Sequence, residues 1–110
     1  MVRAWCVPVN ILDRQRLLGQ HVEAHVMFNA IMRGGGGFYN HPQTKRFYDD
    51  PGQLVTLHNL CMDEMLRRGY KHKSPIDYPC SPYVYTQEEY IRDLADLKNR
   101  NGLLENDILE

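Results

Sequence analysis

Cysteine is scarce in this chain and does not pair. Cys6, Cys61 and Cys80 are odd in number, and no two stand in a CxxC spacing. A disulfide framework and a cysteine-based zinc site are both left without support, and a reducing, cytoplasmic setting is the simplest expectation. No apolar run approaches the roughly 20 residues that a membrane span requires. The first twelve residues, interrupted by Arg3, Pro8 and Asn10, do not make a signal peptide. The glycine run Gly34 to Gly37 has no Lys-Ser or Lys-Thr behind it, so it is a hinge rather than a phosphate loop. A strand-like alternation of apolar and polar residues is also missing. Charge of one sign is absent overall, with a net of −1, yet its distribution is uneven. Residues 1–74 carry ten Lys/Arg against six Asp/Glu, whereas residues 75–110 carry three against eight. A basic body of this kind can accept a polyanion on one face even when the total is near zero.

What is present suits one helical domain. With 110 residues, 43% of them hydrophobic, the chain can bury a modest core without covalent staples. Asp13 is a candidate N-cap, and Leu17, Leu18, Val22, Phe28, Ala30, Ile31 and Met32 carry a helix over 13–33 until the glycine run stops it. His41 and Pro42 suit the start of a short helix. Asp50, Pro51 and Gln53 form an N-terminal signature for a second long helix over 51–68, in which Leu54, Leu57, Leu60, Cys61, Met65 and Leu66 recur at helical spacing before Gly69. Pro75, Pro79 and Pro82 make an extended connector. Thr86 with Glu89 predicts a capping box for a third helix with Tyr90, Ile91, Leu94 and Leu97 as its buried stripe, ending at Asn101 and Gly102. The expected architecture is all-α, a compact three-helix domain over 1–102 with an N-terminal arm laid across it and an acidic tail over 103–110. A monomer is the favoured state.

Glu23 stands out, because glutamate is seldom buried without a partner or a task and this one falls in the middle of the first amphipathic helix. It lies about 15 Å along that helix, and the preceding arm is long enough to double back to it. Val2 is small enough for Met1 to be removed, which would leave its α-amine free. Such an amine has a pKa near ~7.7 to 8.0 and is therefore partly neutral at pH 7, as a nucleophile for a sugar carbon must be. The bland alternative is a glutamate paired with an arginine at the rim of the core. His21 and His25 share a helix face at the spacing of a two-histidine metal site, but Glu23 is turned about 200° from His21 and no third ligand is evident. Gly19 clears space one turn before Glu23, for a substrate or for the arm. Lys45 with Arg46, and Arg67, Arg68, Lys71 and Lys73, are the basic clusters; the second sits where a helix C-terminus favours cations anyway. Trp5, Tyr39, Phe47 and Tyr48 suit the core at least as well as base stacking.

These residues, in this order, resemble the pyrimidine-dimer DNA glycosylase family, of the small phage endonuclease V type with bacterial relatives. The resemblance covers about the first hundred residues and rests on Val2 and Arg3, Gln15 and Leu17 ahead of Glu23, the NHPQ of Asn40 to Gln43 with Arg46 and Phe47 after it, and EMLRRGY from Glu64 to Tyr70. It implies an all-helical fold, the α-amine of Val2 as nucleophile and Glu23 as the essential carboxylate, acting on kinked duplex DNA that carries a cyclobutane dimer with a base flipped from the stack. Arg3, Gln15, His21, Lys45 and Arg46 become the expected DNA contacts, with neither metal nor organic cofactor. Departures from the family pattern are Val22 and Val26 where arginines grip DNA, Glu89 and Asp93 at basic positions of the last helix, and LLENDILE in place of an aromatic, basic C-terminus. Loss of phosphate contacts would weaken duplex binding, leaving the lesion open. The competing expectations are a non-catalytic interaction module on the same scaffold and an enzyme acting on another N-glycosidic bond.

Overall fold

A computed structural model describes residues 3–70 and 75–104. Helices α1 (Arg14–Arg33), α2 (Pro42–Lys45), α3 (Gly52–Arg67) and α4 (Gln87–Asn99) follow one another, with a 3-10 turn at Val9–Ile11 in the arm. The only bridge among the described residues joins Leu12 to Leu103. The chain is all-α and compact, as its periodicity predicts, with the short helix α2 added to the three long ones.

Local chemistry sets the ends. Asp13 caps α1 by accepting the Arg16 N–H at 2.8 Å, and Gly34, at φ 74°, closes it by donating to the Ala30 and Ile31 carbonyls. His41 Nδ1 accepts from Gln43 N–H at 3.1 Å to start α2, with Pro42 in the first turn where a missing N–H costs nothing. Thr86 and Glu89 complete the capping box of α4. The start of α3 differs from expectation. Pro51 takes the cap position without a side-chain bond, and Gln53, instead of reaching back, accepts the Val84 N–H of the proline-containing connector. That connector presses on α3 closely: Ser81 N–H donates to Gly52 O, and a Cβ at Gly52 would lie 2.8 Å from Pro79 O. Only glycine fits there.

Phe47, Leu12, Leu17, Met27, Leu54, Leu57 and Leu97 form the fully buried centre, chiefly between α1 and α3. Each such side chain contributes roughly 1.5–3 kcal/mol relative to exposure. The apolar lists read from periodicity need correction at their margins. Val22, Met32, Leu60, Leu66 and Ile91 face solvent, while Gln20, His21, His58, Glu64 and Asp93 are buried. Gln20 and Asp93 are inside because the arm, lacking a strand neighbour, must find hydrogen-bond partners within the fold. Leu103 packs against the core; of the acidic tail, residues 105–110 lie outside the described residues.

Candidate active site

An extended arm exposes one N–H and one C=O per residue, and each requires a partner once buried. Here side chains from three helices supply them. Arg3 N–H donates to Glu23 Oε2, Ala4 N–H to Gln43 Oε1 at 3.3 Å, Trp5 N–H to Gln20 Oε1 at 2.6 Å and Cys6 N–H to Asp93 Oδ2 at 2.8 Å. On the carbonyl side, Arg46 donates to Ala4 O at 3.3 Å and Tyr83 O–H to Trp5 O at 3.0 Å. Four consecutive amides of the arm are thereby fixed, and the first of them ends on Glu23.

Glu23 is half-buried and lines a cleft of about 270 Å³ with Gln15, Gly19 and Gln20 from α1, Arg3 and Trp5 from the arm, and Arg16 and Arg100 at the rim. Burial holds its carboxyl above the usual range, while the Arg3 N–H pulls the other way. Its described contact is a backbone N–H, so the arginine-paired alternative is not what the fold builds. The Arg3 guanidinium instead reaches α4, at 2.7 Å from Asp93 Oδ1 and 3.0 Å from Asp96 Oδ2, and stacks over the Trp5 ring at 3.9 Å. Asp93 is therefore buried under the arm, receiving both Arg3 and Cys6. These contacts keep its carboxyl below the ordinary value although burial pushes it up.

Of the residues singled out from sequence, Glu23, Arg3 and Gln15 converge on the cleft. Val2 lies outside the described residues. His21 is buried on another face of α1, against His25 and His58, and does not line the cleft. Lys45 is exposed on α2, away from the cleft lining. Arg46 is turned inward onto Ala4 O, Cys6 Sγ and Tyr83 Oη, which makes it a brace of the arm rather than a free cation. Arg68 likewise binds Glu64 and the Leu12 carbonyl; Lys71 and Lys73 are outside the described residues. Sequence reasoning missed Gln20, Gln43, Asp93, Arg16 and Arg100. Gln20 and Asp93 carried a signal, since each is a polar residue at a core-facing helical position.

Gly19 opens the cleft floor. A Cβ there would meet nothing within 4 Å, so the arm's packing does not require glycine. Gly19→Ala should raise stability by up to about 1 kcal/mol through helix propensity. Gly19→Met, by projecting into the cleft, should lower any activity housed there without lowering the melting temperature; calorimetry beside an activity assay separates the two effects.

No curated protein and no solved structure matches the chain. Residues 2–78 match the family described as pyrimidine dimer DNA glycosylase. With most of its length matched, and with the arm brought onto a helix-borne carboxylate, the chain belongs to the pyrimidine dimer DNA glycosylase family.

Proposed function

We propose that the chain is a DNA glycosylase with abasic-site lyase activity on damaged duplex DNA, the α-amine of Val2 acting as nucleophile and Glu23 as acid/base. The observation that carries this reading is the Arg3 N–H on the Glu23 carboxylate inside an open cleft. Val2 is joined to that nitrogen, and one Cα step of about 3.8 Å keeps an amine at residue 2 within reach of what Glu23 touches. The amine lone pair attacks C1′, the glycosidic C–N bond breaks, and the base leaves with its electron pair and takes up a proton. Loss of the amine protons and opening of the sugar ring give an imine. Glu23 then removes a C2′ proton, and its electrons expel the 3′ phosphate. The carboxylate also opposes positive charge that builds on the sugar. Arg100, whose partly exposed partner Asp96 releases it at small cost, supplies a cation for a flanking phosphate. A cyclobutane dimer is the substrate suggested by the family.

Borohydride trapping tests the reading. Incubation with abasic or dimer-containing duplex should give a covalent protein–DNA adduct of one to one mass, and acetylation of the N-terminus should abolish it. Absence of any adduct from abasic DNA would overturn the mechanism. A second reading is favoured by the exposed Val22 and by the acids of α4. It is a non-catalytic interaction module, which would bind a partner without forming the adduct.

A further inference from the structure

His21 and His25 on α1 were left without a third ligand by their sequence; the fold supplies one. His58 of α3 stands against both, with ring centroids 4.5 Å from His21 and 4.4 Å from His25, and the α1 pair are themselves 4.9 Å apart. One nitrogen from each of the three rings lies within 4.8 Å of the others. We propose that these three imidazoles form a binding site for a divalent transition-metal ion of the zinc type, clamping α1 to α3. This departs from the expectation that no metal is bound.

Ligand chemistry and placement argue for it together. Three neutral imidazoles are a complete protein ligand set for a tetrahedral ion with one position left for water. Zinc–nitrogen bonds of about 2.0–2.1 Å bring tetrahedral ligands to roughly 3.3 Å from one another. His58 is pre-set for the role. Asn59 Nδ2 donates to Cys80 Sγ, which turns Asn59 Oδ1 toward His58 Nδ1 at 3.0 Å. An oxygen acceptor there puts the ring proton on Nδ1 and leaves the lone pair on the buried Nε2, the arrangement that outer-shell partners give metal-binding histidines. His21 and His58 are buried whereas His25 is half-buried, so the cluster has a dry base and a route for an ion from solvent.

The site is structural rather than catalytic. Glu23 is turned about 200° around α1 from His21, and none of the three histidines lines the cleft. The test uses the full chain, stripped with a chelator and titrated with zinc(II) or cobalt(II) alone. Native mass spectrometry should find one ion per chain, cobalt(II) should show the visible absorption of a tetrahedral nitrogen site, and the melting temperature should rise by on the order of 10 °C at a hundredfold excess over Kd. His25→Ala, at the half-buried position, should bind at least about a hundredfold more weakly, as should His58→Asn. His41→Ala should bind as the unaltered chain does. Failure to bind one ion per chain, or full binding by His25→Ala, would overturn the site. Should His58→Asn not fold, His25→Ala decides alone.

Discussion

Glu23→Gln should reduce formation of the trapped adduct and of cleaved strand on abasic DNA by about 10²- to 10⁴-fold, with the helical circular dichroism spectrum unchanged. The variant separates two roles that the geometry superimposes. As a hydrogen-bond acceptor Glu23 holds the Arg3 N–H, and as a carboxylate it faces the cleft. Glutamine keeps a carbonyl oxygen of nearly the same reach, so the arm stays docked. What it loses, on the proposed mechanism, is the negative charge opposite a cationic sugar and the base that takes the C2′ proton. A loss below tenfold would mean that Glu23 serves chiefly to pin the arm. Retained affinity for abasic duplex beside a large fall in single-turnover rate is the signature of the chemical role, since an interaction needed only in the transition state lowers rate rather than binding.

Much of this arrangement was legible before any coordinates, for identifiable reasons. The ends of α1 and α4 followed from Asp13, Gly34, Thr86 and Glu89, because a cap is a contact over three or four residues and needs no knowledge of the rest of the fold. Glu23 was legible for the same kind of reason, as a charge at an inward helical position. The partners of the arm were not. Gln43 and Asp93 meet Ala4 and Cys6 across 39 and 87 residues of sequence, and such pairings leave no local pattern. Arg46 was expected to contact DNA from its basic cluster with Lys45 and from the family resemblance; that its guanidinium reaches the Ala4 carbonyl depends on a docked arm that no local pattern announces. His58 was passed over because its ligand partners stand on another helix. Asp93 is the sharpest case. Matched to a basic position in the family, it counted as a lost phosphate contact, yet it is 1% exposed and spends its carboxylate on the arm.

Asp93→Asn is therefore expected to lower stability by about 2–4 kcal/mol and to impair catalysis through the arm rather than through DNA binding. An asparagine amide retains one acceptor oxygen, but Arg3 and the Cys6 N–H each require one. Its own N–H₂ must then face a donor in a buried place. The dependence on pH gives the mechanism a separate readout. In the folded chain the carboxyl titrates below its ordinary value, near ~3.9, held there by Cys6 N–H and Arg3 against the opposing effect of burial. A lowered folded pKa means that the stabilisation is fully present above the unfolded value and disappears as pH falls through the folded one. The stability gap between the unaltered chain and Asp93→Asn should thus be widest above about pH 4 and narrow below it, while the pairs of Glu64, which share no partner with Asp93, weaken equally in both proteins and cancel. If the proposed lyase mechanism holds, the rate at saturating abasic DNA should fall with little change in the DNA concentration for half-saturation, because the arm is held less firmly beside Glu23. A gap that stays constant from pH 7 to pH 3 would remove Asp93 from its place as the anchor of the arm, and a rise in half-saturating DNA without loss of rate would return it to the surface role that its sequence position suggested.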